Sequence, residues 1–278
     1  MAFLRQGDSG PKVLELQRRL KELGFNPGNL DSQFGPGTEA AVMAFQKSEG
    51  LLADGMVGPR TLEKLQLDGD TQMPSAIAGV TVAAVSKMFP QAPIDNIKMH
   101  LPNVLDALVG DALTQRNLLL VALSTIRAET AGFVPIGEYL SRYNTSPGGH
   151  PFDLYDNMKS LGNQGKPDGE RYRGRGFIQL TGRYNYKKYG EELGLGNGLI
   201  DNPDLANDSK IASRLLARFM KTKEQAIKEA LLVEDLKAVR RLINGGSYGI
   251  DAFTDAFHIG EAVLPAEEQA RAAGAFGG

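Results

Sequence analysis

Gly174-Arg175-Gly176-Phe177-Ile178-Gln179-Leu180-Thr181-Gly182-Arg183-Tyr184-Asn185-Tyr186 sets three glycines among closely spaced polar side chains. Glycine lets backbone come close to a neighbour where a Cβ would intrude. Arg175, Gln179, Thr181 and Asn185 supply hydrogen-bond donors and acceptors around that approach. The pattern predicts a loop that presents polar groups and then enters a helix over Gly182 to Leu193.

About fifty residues upstream lies a segment of the opposite character, Asn117-Leu118-Leu119-Leu120-Val121-Ala122-Leu123-Ser124-Thr125-Ile126-Arg127-Ala128-Glu129. It is apolar on nearly all sides, as a buried helix is. On a helical wheel Glu129 falls beside Leu119, Ala122 and Ile126, so its carboxyl points to the core face. Burial disfavours the charged form of a carboxylate, the condition a general acid needs near neutral pH. Glu129 is therefore a candidate proton donor; the alternative is a structural ion pair with Arg127 or Arg175. Gly132 and Pro135 stop the helix, so Glu138 must ride on a turning segment. Two carboxyls facing each other across a groove would suit glycoside hydrolysis, where one protonates the leaving oxygen and the other activates water or attacks. The alternative for Glu138 is a solvated loop position.

The chain has 278 residues, ample for two domains, and 42% hydrophobic content, enough for real cores. Its formal charge of −2 and lack of a Lys/Arg block argue against nucleic-acid or anionic-membrane binding. There is no cysteine, which excludes thiol nucleophiles, disulfides and Cys-ligated zinc. His100, His150 and His258 show no metal-ligand spacing, so no metal and no cofactor is expected. The start of the chain lacks the pattern of a secretory signal, and no long apolar span occurs. The expectation is a soluble monomer, made in the cytoplasm and without membrane insertion.

Within residues 4 to 66 the sequence echoes itself, Asp31 to Thr38 against Asp54 to Thr61, each with a Gly-Pro pair that suits the start of a helix. Val13, Leu16, Leu20 and Leu23 mark one helix and Ala41, Val42 and Phe45 another. The segment reads as a bundle of about three short helices. Gly7-Asp8-Ser9-Gly10, Leu16-Gln17, Phe34-Gly35, Phe45-Gln46, Asp54-Gly55 and Val57-Gly58-Pro59 together resemble the small peptidoglycan-binding domains of cell-wall hydrolases. Ser32 stands where that family usually has Gly.

The predicted division is a peptidoglycan-binding domain over 1–66, a polar linker over 67–79 and a catalytic domain over 80–278. Helices are expected over Val82 to Met88, Ile94 to Leu101, Asn117 to Thr130, Gly182 to Leu193, Ser209 to Lys221 and Leu236 to Ile243. All eight tyrosines lie beyond residue 138, and with no Trp in the chain they are the available platforms for stacking on sugars. Glu129, the Gly174 to Tyr186 run, Asn202-Pro203 and Ile243-Asn244-Gly245-Gly246 resemble glycoside hydrolase family 19 chitinases and the related phage endolysins. The resemblance implies a mainly α chain, with a two-lobed, lysozyme-like catalytic domain after the three-helix module. It implies Glu129 as acid, Glu138 as second carboxylate and Thr181 as holder of the attacking water. It also implies sugar contacts from Gln179, Tyr184, Asn185 and Asn244, with Tyr139 and Arg175 as neighbouring candidates. Ala128 replaces the His common before the acid, and no Arg lies between Leu242 and Ala270, where plant members place one. The function so implied is an endolysin that grips bacterial peptidoglycan and cuts its glycan between N-acetylmuramic acid and N-acetylglucosamine. The rivals are a chitinase and a wall-binding protein without turnover.

Overall fold

The computed structural model describes residues 4–67 and 76–265. They fall into two compact units, one built on residues 4–67 and one on residues 76–231 and 235–265. Residues 68–75, the middle of the expected linker, and 266–278, at the end of the expected catalytic domain, lie outside the described residues. Ala76 to Gly79, assigned to the linker from sequence, pack instead with the second unit: Ala76 is buried and its N–H donates to Thr114 O at 2.9 Å.

The first unit holds three helices, α1 (Pro11–Glu22), α2 (Pro36–Ser48) and α3 (Pro59–Leu65). Each begins on a proline, where the missing N–H had no helical partner to lose. Val13, Leu16, Leu20, Phe34, Val42, Phe45 and Leu65 form its core. The sequence echo has a physical purpose. Gln17, buried in α1, donates through Nε2 to Asp31 Oδ1, Gln33 O and Thr38 Oγ1 while its Oε1 accepts from Ser32 N. Gln46 in α2 repeats this on Asp54 Oδ1, Met56 O, Thr61 Oγ1 and Gly55 N. Ser32 (φ 63) and Gly55 (φ 72) occupy the same left-handed turn position, which explains why glycine suits it.

Replacing Gln46 by Leu leaves these buried groups unpaired and is expected to cost about 2 kcal/mol. Hydrogen exchange of the full chain would read this as an about 30-fold rise at the protected α2 amides; an unchanged rate would refute the stabilising role of Gln46.

The second unit has ten α-helices among the described residues: α4 (Val82–Met88), α5 (Ile94–Gly110), α6 (Arg116–Thr130), α7 (Asp168–Arg171), α8 (Arg183–Glu192), α9 (Gly198–Asp201), α10 (Ser209–Lys221), α11 (Glu224–Leu232), α12 (Leu236–Asn244) and α13 (Ile250–Val263). A single antiparallel ribbon joins β1 (Ile136–Gly137) to β2 (Arg175–Gly176), pairing Ile136 with Gly176 and Gly137 with Arg175. The chain is mainly α, as the sequence implies. No helix of the described residues is long and apolar enough to cross a membrane.

α5 runs past Leu101, where the sequence reading ended it before Pro102. Ile97, Leu101, Val104 and Leu108 form one buried stripe, and the exposed Pro102 interrupts a single backbone bond on the other side. α6 is buried throughout its middle, Leu118 to Ile126. Around it α4, α10, α12 and α13 complete the larger of two hydrophobic clusters. The smaller gathers Tyr172, Leu180, Tyr186, Tyr189, Leu199 and Leu215. Ile178 and Phe219 pack against both clusters.

Candidate active site

Where the two clusters meet, a cleft of about 1410 Å³ opens, and Ile178 and Phe219 lie in its wall. Glu129, Glu138, Tyr139, Gln179, Thr181, Asn185 and Asn244 all line it. The sequence placed these residues in one site, and the fold brings them to one surface.

Glu129 sits in the last turn of α6, held by the most deeply buried helix of the unit. Its Oε1 accepts from Arg240 Nη2 at 2.7 Å. Arg240 is fully buried, and its Nε donates to Tyr248 O at 2.9 Å. Among the described residues, Glu129 Oε2 has no hydrogen-bond partner. The sequence reading offered Arg127 or Arg175 as partners; the fold supplies Arg240 from α12 instead. Gly245 (φ 73) caps α12 in the left-handed conformation and turns the chain back so that Tyr248 O meets the guanidinium. The Ile243-Asn244-Gly245-Gly246 motif thus helps fix the cation beside Glu129.

Glu138 is set on the ribbon. After α6, Ala131 (φ 38) and Phe133 (φ 56) turn the chain, Phe133 plugs into the core, and β1 delivers Glu138 to the far side of Gly174. Glu138 N donates to Gly174 O at 2.8 Å, and Gly174 N donates back to Glu138 Oε2 at 3.1 Å. Asn144 Nδ2 and Tyr155 OH donate to Oε1, each at 2.9 Å. Three donors therefore surround this carboxylate, the environment that solvates an anion. Burial, together with the adjacent Glu138 charge, raises the Tyr155 hydroxyl well above its ordinary value, so Tyr155 remains a donor.

The glycines of the central run now have reasons. A Cβ on Gly174 would come within 2.8 Å of Gln179 Oε1 and 3.1 Å of Glu138 Oε2; on Gly176 it would meet Ala206 O at 2.6 Å. Gly176 N is held by Asn207 Oδ1 at 3.0 Å, from the short turn that follows Asn202-Pro203. Gln179, in the left-handed region at φ 49, donates to Ile136 O and Gly176 O. It clasps the ribbon while lining the cleft. Thr181 Oγ1 donates to Gln179 O at 2.8 Å, and Asn185 Nδ2 to Thr181 O at 2.8 Å.

Two expected sugar contacts are placed elsewhere. Arg175 is buried: its Nε pairs with Asp204 at 2.8 Å, and its Nη1 donates to Arg171 O, Arg173 O and Tyr186 OH. Its donors tie the loop together and do not reach the cleft. Burial pushes the Tyr186 hydroxyl up to about 12, against the opposing charge of Arg175. Tyr184 is exposed, but it is not in the cleft wall.

The sequence reading did not select Arg240, Asn144, Tyr143, Tyr155 or Tyr248. Tyr143 and Tyr248, like Tyr139, are more than 70% exposed on the cleft, which leaves apolar ring surface open to a flat ligand, although the Arg142 guanidinium lies over one face of Tyr143 at 4.9 Å from its centroid. Tyr172, Tyr186 and Tyr189 are core residues. A signal for Arg240 was present: Leu236, Val239 and Ile243 mark the apolar stripe of α12, and Arg240 falls on it.

A mainly helical unit with two hydrophobic clusters, a cleft between them and two carboxyls in that cleft has the parts that glycoside hydrolysis uses. Comparison with known proteins agrees with that reading and refines it. Residues 105–231 match the family profile described as chitinase class I, and residues 9–65 match that of a putative peptidoglycan binding domain. The chain therefore carries a peptidoglycan-binding domain followed by a glycoside hydrolase family 19 domain. A glycosyl hydrolase family 19 domain-containing protein of Haemophilus influenzae is 34% identical over 98 residues, 35% of this chain and 45% of that protein. The N-acetylmuramoyl-L-alanine amidase CwlM of Mycobacterium tuberculosis is 48% identical over 56 residues, 20% of this chain. The chain spans 14% of that amidase. The crystal structure of a bacterial family 19 chitinase aligns with a TM-score of 0.48 at 23% identity, over 66% of this chain and 95% of its own.

Proposed function

We propose that the chain is an endolysin-type muramidase. Its first domain holds it on peptidoglycan, and its second cuts the glycan between N-acetylmuramic acid and N-acetylglucosamine. The observation that carries the reading is the pair of cleft carboxylates with opposite settings. Glu138 is ringed by three donors, whereas Glu129 has one oxygen on Arg240 and the other without a protein partner.

In this reading the reactive form of Glu129 carries a proton on Oε2, the oxygen that Arg240 leaves free, and gives it to the glycosidic oxygen as the bond to C1 breaks. Glu138 takes a proton from the water that replaces it. The Thr181 hydroxyl hydrogen is committed to Gln179 O, so its free lone pairs accept the second hydrogen of that water and aim its oxygen. Tyr139, Tyr143 and Tyr248 offer rings to the sugars, Asn185 and Asn244 polar edges. Tethering by the first domain raises the local concentration of the cleft at an insoluble substrate.

Mass spectrometry of the fragments from purified walls tests the bond. New reducing ends on muramic acid support the reading, and reducing ends on glucosamine or anhydro products would overturn it. The match over 105–231 to a chitinase profile favours one second reading, cleavage of N-acetylglucosamine polymers. Chitin oligomers run in parallel decide between them: release from chitin alone would move the substrate there.

A further inference from the structure

Beyond the two carboxylates, the cleft continues over the end of α10 and the faces of α11 and α12, where Phe219, Lys223, Glu229 and Arg241 line it. The ion pairs on these helices are unevenly shared. Lys221 and Lys228 are both taken by Glu224, at 2.7 Å each, and Arg240 is taken by Glu129. Lys223 and Arg241 form no ion pair among the described residues. Lys223 Nζ lies 5.3 Å from the centroid of the Phe219 ring, and Arg241 is exposed. Glu229 is the carboxylate on this stretch, and its Oε1 already accepts from Gln225 at 3.0 Å.

An uncharged N-acetylglucosamine polymer offers hydroxyls and amide carbonyls, but no countercharge, to two cations on the wall of its groove. A peptidoglycan strand does. Every muramic acid carries a lactyl group amide-linked to a short peptide with free carboxylates, and these flank the glycan at regular intervals. We propose that Lys223 and Arg241 form a subsite for the carboxylates of the stem peptide, so that the cleft selects peptide-bearing glycan over bare glycan. The subsite rests on the wall-glycan reading given above. Arg241 supplies a planar fork that matches a carboxylate in two contacts, and Lys223 a compact point charge held over an aromatic face. Glu229 beside them suits a zwitterionic peptide better than a polyanion.

The test uses the full chain and two soluble substrates, peptide-bearing glycan strands and the same strands stripped of peptide by an amidase. The readout is the ratio of kcat/KM on the first to that on the second. The wild type should favour peptide-bearing strands, and Lys223→Gln/Arg241→Gln should lower the ratio about three- to tenfold, the scale of two partly exposed charge contacts. The charge reversal Lys223→Glu/Arg241→Glu should lower it further. Raising ionic strength from about 0.1 M to about 1 M should erode the wild-type preference. A ratio unmoved in both variants, while both strands are cut, would overturn the subsite alone. If the wild type cuts neither strand, the wall-glycan reading falls and the subsite falls with it.

Discussion

Glu129→Gln is expected to slow glycan cleavage by about 10³-fold while leaving sedimentation with purified walls intact. The substitution keeps the shape of the side chain and removes only the transferable proton. A positioned general acid contributes on the order of 10² to 10⁴ to rate. The amide oxygen still accepts from Arg240 Nη2, so α12 keeps its anchor at the end of α6. In the proposed reading wall attachment belongs to residues 9–65, a separate unit with its own core, and is not touched by the change. A turbidity assay on walls, paired with a pull-down, reads the two properties from one sample. A fully active variant would sink the assignment of Glu129, and lost attachment would show that the two units are not functionally separate.

Arg240→Met should unfold the second unit more readily, by about 3–5 kcal/mol, because it leaves the largely buried Glu129 carboxylate without its countercharge and Tyr248 O with only the longer of its two donors, Asn244 Nδ2. For a unit of this size that is a fall in Tm of about 10 °C. The informative comparison is the double variant Glu129→Gln/Arg240→Met, in which neither buried charge remains. It should regain most of the lost stability, since replacing both members of a buried pair is far less costly than removing one. If the double variant is as unstable as Arg240→Met alone, the pairing with Glu129 is not what Arg240 contributes. Activity is expected to stay low in both, one lacking the acid and the other its positioning.

The helical architecture was readable because its signals are local. Buried stripes at helical spacing and Gly-Pro starts located most helices, and the Gly174 to Tyr186 run located the cleft. What was not readable depends on partners far apart in the chain. Glu129 and Arg240 are separated by 111 positions, and an Arg on an apolar stripe does not name its carboxylate. The assignment of Arg175 to the ligand failed for a related reason. A guanidinium among glycines looks the same in sequence whether it faces a groove or, as here, the carbonyls and carboxylate of its own loop. The helix expected to end at Leu101 continues through Pro102 to Gly110, because its long buried stripe outweighs one lost backbone bond. Tyr172, Tyr186 and Tyr189 went to the core, Tyr139, Tyr143, Tyr155 and Tyr248 to the cleft, and Tyr184 to neither, a division that spacing alone does not encode.

The two cleft carboxylates are anchored at different depths of the molecule. Glu129 belongs to α6, whose displacement requires opening the main hydrophobic cluster, so its position persists as long as the unit stays folded. Glu138 hangs on a ribbon of two residues per strand and on Asn144 and Tyr155 from the following loop. Such a segment opens by small, local fluctuations that leave the core closed. If Glu138 activates water as proposed, the weaker mooring limits the geometry of catalysis, and on warming its side of the cleft is expected to loosen first, while the helical signal still reports an intact protein.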